Sequence, residues 1–224
     1  MTIKRFSLYL VLLFLPGYLP AQRGWDTIPY ATDHYRAQYE KFKTEPVVKG
    51  KVIFLGNSIT EGGNWKKLLN DSTVVNRGIS GDITFGVLNR VEEVANRLPS
   101  KLFLLIGIND IAKNIPDEII MENIFSIVSK VRSLSPKTKI YVQSILPTNN
   151  SFPDKPDHKN KDDHVVTING QLRKYGDRLQ YAYVDLYSGF TDSESRLDAK
   201  YTADGLHLNA IGYAHWADIL KNLK

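Results

Sequence analysis

Short apolar runs without polar alternation recur from Val52 onward, and segments with a helical repeat separate them. The five runs are "VIFL" (Val52–Leu55), "TVVN" (Thr73–Asn76), "LFLLI" (Leu102–Ile106), "KIYVQSIL" (Lys139–Leu146) and "AYVDL" (Ala182–Leu186). A strand that is apolar on both faces must be covered on both faces, which is how parallel sheets are built. Between the runs, "NWKKLLN" (Asn64–Asn70) reads as a short helix and Thr84–Leu98 as a longer one. Pro116-Asp117-Glu118 opens the next helix, Ile120, Ile124, Ile127, Val128 and Val131 form its stripe, and Pro136 closes it. Val165–Leu179 reads as another helix. A last one follows Asn209, with Tyr213, Trp216, Ala217 and Leu220 on its inner face. Strand and helix in alternation define an α/β fold, here a three-layer α/β/α sandwich around a five-stranded parallel sheet. With 224 residues and 42% hydrophobic content, one domain with one core is expected, from residue 22 to 224. Residues 22–50 would form a helical extension in which Tyr35, Tyr39 and Phe42 face inward, packed beside the first strand.

The first 21 residues follow a different logic. Lys4-Arg5 precedes the ten-residue apolar run "FSLYLVLLFL", and "PGYLPAQ" adds a breaker and Ala21 as a cleavage point. The run is shorter than the ~20 residues that span a bilayer, so it reads as a secretory signal peptide rather than a stable membrane anchor. The expected location is periplasmic or secreted. Cysteine is absent, so stability rests on the core and no thiol is available for a lipid. The net charge of +5 falls to +3 without Lys4 and Arg5, and the densest basic stretch, Lys41–Lys51, is broken by Glu45 and apolar residues. A nucleic-acid partner would want a continuous basic stripe.

In parallel sheets, ligands sit at the carboxyl ends of the strands. The loops there read "GNSIT" after the first strand, "NRGISGD" after the second and "GIND" after the third, with "DGLHLN" beyond the fifth. Each supplies something that acyl transfer requires. Ser58 is the candidate nucleophile, inert unless a base stands beside it. Of five histidines, His34 lies in the N-terminal helix, His158 and His164 in a polar loop, and His215 on the solvent side of the last helix. His207 remains, three residues after Asp204, a spacing that lets the carboxylate aim the ring at Ser58. The N–H groups of Ser58 and Gly81 and the side-chain amide of Asn109 are candidate oxyanion donors. Asp82 and Asp110 are expected to hold loop backbone or helix starts, and Asn57 to serve the turn.

These four blocks resemble those of the SGNH hydrolases, the GDSL-like esterase/lipase family, from about Val52 to Tyr213. The resemblance implies a flavodoxin-like fold and a serine esterase that uses Ser58, Gly81, Asn109 and His207, with Asp204 completing a triad. Asn57 departs from the pattern, standing where the family's other common name has aspartate. Likeness to exported bacterial members points to removal of acetyl groups from carbohydrate, such as sialic acid or other glycans. A lysophospholipase or a platelet-activating-factor acetylhydrolase-like lipid esterase stays open, as do acyl transfer to a sugar and a non-catalytic glycan-binding protein. No cofactor is implied. Asn149–His164 carries acids and two histidines without regular ligand spacing, which reads as a rim or lid rather than a metal site. "GNSITEGG" lacks the Gly-Lys-Ser/Thr ending of a phosphate loop.

Overall fold

Five parallel strands form the sheet in the computed structural model, which describes residues 29–223: β1 (Val52–Gly56), β2 (Val75–Gly78), β3 (Lys101–Leu105), β4 (Lys139–Gln143) and β5 (Ala182–Val184). Their order is β2-β1-β3-β4-β5, so the chain winds one way from β1 to β2 and the other way from β3 onward. The helices are α1 (Asp33–Thr44), α2 (Ser58–Glu61), α3 (Trp65–Leu68), α4 (Thr84–Ala95), α5 (Ile108–Ala112), α6 (Asp117–Leu134), α7 (Asp162–Leu179), α8 (Tyr187–Phe190) and α9 (Ala210–Lys221). The expected three-layer α/β/α sandwich is present. The expected signal peptide lies outside the described residues.

Strand residues alternate between faces, and the two faces are covered differently. On one face Phe54, Phe103 and Tyr141 are partners in register and their rings stack at 4.8 and 4.6 Å. Trp65 of α3 stacks on Phe54 at 4.0 Å and meets Trp216 of α9 edge-on. Those two short-range aromatic contacts seat α3 and α9. The opposite layer is α4, α6 and α7. The α6 stripe read from the sequence, Ile120, Ile124, Ile127, Val128 and Val131, is at most 1% exposed. Burying each such side chain stabilises the fold by roughly 1.5–3 kcal/mol.

Several boundaries differ from the sequence expectation. β2 begins at Val75 rather than Thr73, because the Asp71 carboxylate accepts the Thr73 N–H and holds Ser72-Thr73 in a turn. α4 stops at Ala95, and Leu98 adopts a left-handed φ of 44°. α7 starts three residues early, at Asp162, with Asp162 and Asp163 in its first turn where the helix dipole favours acids. In α9, Trp216, Ala217 and Leu220 are buried as expected, whereas Tyr213 is half-buried. α1 does not lie beside β1. It packs on α4, where the Tyr35 hydroxyl donates to the Gly86 carbonyl at 2.9 Å and Tyr35 and Phe42 enclose Ile79.

Candidate active site

The point where the winding reverses, beside β1, is where a parallel sheet opens a crevice at its carboxyl edge. β1 is flanked there by β2, with Gly56 opposite Gly78, and by β3, with Gly56 opposite Leu105. The loops that carry Ser58, Gly81 and Asn109 therefore leave the sheet side by side. Ser58 is the first residue of α2, and the Asn57 side chain caps that helix by accepting the Ile59 N–H at 3.0 Å. Asn57 thus serves the turn as expected, although its buried amide nitrogen has no protein partner among the described residues.

His207 comes to Ser58 across 149 residues of chain, with Nε2 3.0 Å from the hydroxyl oxygen. Its Nδ1 lies 2.6 Å from Oδ2 of Asp204. A tight local turn sets that pairing: Asp204 Oδ1 accepts the N–H groups of Leu206 and His207, and the Thr202 hydroxyl donates to the His207 carbonyl at 2.7 Å. Partial burial raises the Asp204 pKa, but bonds from the His207 ring and from these N–H groups bring it below the ordinary carboxylate value. An ionised Asp204 fixes a proton on Nδ1, which leaves Nε2 free to accept one from Ser58.

Asn109 is buried in the first turn of α5, its amide nitrogen donating to the Asp82 carbonyl at 2.9 Å. Gly81, one residue earlier than Asp82, has φ +80°, a conformation that side chains rarely adopt. The N–H groups of Ser58 and Gly81 have no protein acceptor among the described residues. Donors left free at the end of the sheet can meet a developing negative oxygen.

The two tempting acids are structural, as expected. Asp110 accepts the N–H and the hydroxyl of Thr84 and so anchors the start of α4. Burial pushes its pKa up to about 7 against the pull of those bonds. Asp82 accepts the Ile83 N–H and pairs with Arg90 at 2.9 Å. Burial outweighs the guanidinium and raises its pKa to about 6.

Three features escaped the sequence reading. The Glu61 carboxylate accepts the Ser80 N–H at 2.6 Å and the Ser80 hydroxyl, bracing the residue before Gly81, while His34 of α1 reaches the same carboxylate at 3.1 Å. His215 is not free in solvent: its ring stacks on Tyr201 at 4.8 Å and bonds the Gly189 carbonyl. His158, assigned to a polar loop, bonds the Asn109 side chain with Nε2 3.1 Å from Oδ1. The spacing of charged residues in Asn149–His164 carries no sign of that contact, whereas its position after β4 on the active edge did.

Fold and site together define a hydrolase of the acyl-transfer type. Residues 54–215 match the GDSL-like Lipase/Acylhydrolase family, to which the chain belongs. It is a carboxylic ester hydrolase. The human platelet-activating factor acetylhydrolase IB subunit alpha2 is 27% identical over 190 residues, 81% of this chain and 80% of that protein. Among solved structures, a Streptococcus pneumonia protein named for platelet activating factor superposes with a TM-score of 0.77 at 30% identity, covering 84% of this chain and 92% of that one. A GDSL-like lipase from Bacteroides thetaiotaomicron gives 0.73 at 26% identity, covering 84% and 95%.

Proposed function

We propose that the chain is an exported serine esterase that removes small acyl groups, acetyl foremost, from O-acylated carbohydrate. The observation that carries the mechanism is the line from Ser58 through His207 to Asp204, at 3.0 and 2.6 Å. His207 takes the Ser58 proton as the oxygen attacks the ester carbonyl. The resulting oxyanion meets the N–H groups of Ser58 and Gly81 and the Asn109 amide. The alkoxide leaves with the proton from His207, giving an acyl-enzyme. Water, deprotonated by His207 in turn, releases the acid and restores Ser58.

The carbohydrate reading is favoured by the rim. The segment from Asn149 to Lys161 brings Lys155 to 3.9 Å from Asp204 and sets Asn150, Asp154 and Lys159 around the same corner, groups suited to a hydroxylated acceptor. A lipid ester is the second reading. The groove of about 460 Å³ between α3 and α9, where Leu68, Tyr213 and Ala217 lie beside Lys67, Asp218 and Lys221, offers an acyl chain apolar surface, and the curated relatives include platelet-activating factor acetylhydrolases. Turnover of p-nitrophenyl acetate against the octanoate, followed by a panel of O-acetylated glycans read by mass spectrometry, separates the two. Faster octanoate cleavage with no released acetate from any glycan contradicts the carbohydrate reading. Export is tested by fractionating cells that express the full chain: mature protein outside the cytoplasm supports it, full-length protein retained inside contradicts it.

A further inference from the structure

We propose that His158 is a positioning residue for ester hydrolysis, holding the Asn109 amide so that one of its N–H bonds faces the acyl oxygen. The inference rests on the esterase reading above.

A primary amide has two donors on nitrogen and an oxygen that only accepts. Asn109 Oδ1 lies 3.1 Å from His158 Nε2, so the ring must carry its proton on Nε2 and donate. Asn109 Nδ2 spends one hydrogen on the Asp82 carbonyl at 2.9 Å. The second hydrogen remains, and with both ends of the amide engaged it has a fixed direction. Withdrawal of electron density at Oδ1 also makes the remaining N–H a better donor, since linked hydrogen bonds polarise one another.

The loop is built to hold that ring in place. The His158 N–H donates to the Lys155 carbonyl and its own carbonyl accepts from the Thr148 hydroxyl. Lys155 and Asn160, on either side, both take left-handed backbone conformations at φ 56°, one that asparagine tolerates but that costs energy at a lysine. Lys161 Nζ then bonds Asn114 Oδ1 at 2.6 Å, just past the end of the helix that begins with Ile108-Asn109. The loop therefore grips α5 at both ends.

The charge state suits the role. Burial, with His207 and Lys155 nearby, lowers the His158 pKa against the opposing pull of Asp157 and Asp204. A neutral ring donates to Asn109 without setting a second cation beside His207, which must become positive as Ser58 loses its proton.

The test is steady-state hydrolysis of p-nitrophenyl acetate by the full protein and by Ser58→Ala, His158→Ala, His158→Gln, Asn109→Ala and the His158→Ala/Asn109→Ala pair. We expect His158→Ala to lower kcat roughly 10-fold with KM within about 2-fold, the size of one lost hydrogen bond in the transition state. His158→Gln, which restores a donor at the same reach, should recover most of the rate. In the Asn109→Ala background, loss of His158 should change kcat by less than about 2-fold. His158→Phe keeps a ring without a donor and repeats the comparison should His158→Ala lose the fold. Full multiplication of the two single losses, or a Gln variant as slow as Ala, overturns the positioning role while Ser58 stays essential. Undiminished turnover by Ser58→Ala overturns the esterase mechanism itself, and the positioning role with it.

Discussion

At the scale of single residues, the proposed mechanism divides the site into groups that meet the reacting atoms and groups that hold them. Ser58→Ala should lower kcat at least about 10⁴-fold, and Asp204→Asn, which keeps the shape but loses control of the tautomer, roughly 10³–10⁴-fold. Asn109→Ala should lower kcat roughly 10²–10³-fold, read in the same assay. Asp110 makes a prediction of a different kind. Its carboxyl is raised to about 7 in the folded chain, so the native state binds its proton more tightly than the unfolded chain does. Stability from this group is therefore greatest at low pH and declines as pH rises from the ordinary carboxylate range to about 7. Asp110→Asn cannot titrate. Urea midpoints at pH 5 and pH 8 should show the variant's deficit against wild type shrinking at the higher pH, and an unchanged deficit contradicts the raised pKa. Ser58, His207 and Asp204 were legible in the sequence because each chemistry-bearing loop follows a recognisable strand or precedes a recognisable helix. His158 was not, because its partner, the Asn109 side chain, is 49 residues away and no local pattern joins them.

At the scale of elements, the strand ends and α2 fit together through two glycines that face each other across β1 and β2. A methyl group on Gly78 would lie 2.2 Å from the Glu61 nitrogen and 2.8 Å from the Asn57 carbonyl oxygen. One on Gly56 would lie 2.2 Å from the Leu105 carbonyl oxygen. Gly78→Ala must therefore displace α2, the helix that begins with Ser58. We expect a loss of about 1–3 kcal/mol in stability together with a lower kcat. A variant that unfolds early but turns over normally would show that α2 can shift without moving the hydroxyl. β2 is also where the sequence misled. Its apolar half is brief, and Asn76 and Arg77 look like loop residues until their partners are seen. The Asn76 amide donates to the carbonyls of Thr60, Glu61 and Gly63, and Arg77 pairs with Glu45 and Glu93. The long apolar α6 gave itself away by its period and α3 fell within the expected Asn64–Asn70 helix, whereas the four- and five-residue helices α2, α5 and α8 carry too few residues for a period to show.

At the scale of the whole molecule, the N-terminal helix is bonded into the domain through buried charge. Arg97, 4% exposed, donates to the carbonyls of Phe42, Glu45 and Pro46, and Arg77 meets Glu45 at 2.7 Å with its guanidinium over the Phe42 ring. Removing the chain through Pro46 takes three carbonyl acceptors from Arg97 and the Glu45 carboxylate from Arg77, leaves Glu93 as the carboxylate they share, and uncovers Ile79. The urea midpoint should therefore fall by the equivalent of about 3 kcal/mol or more. Equal midpoints would mean that the helix is an appendage. The layered sheet was legible because parallel strands are apolar on both faces. The docking of α1 on α4 was not, since three inward aromatics say that a face is buried but not against what. In the proposed mechanism, what gathers these layers into an enzyme is the meeting of Ser58 with His207 at 3.0 Å, and covalent labelling probes it most directly. After incubation with a fluorophosphonate ester, intact-mass and peptide mass spectrometry should find one adduct on Ser58, formed far more slowly in His207→Ala and absent in Ser58→Ala. An adduct on another residue, or labelling of Ser58 at the same rate without the imidazole, would contradict it.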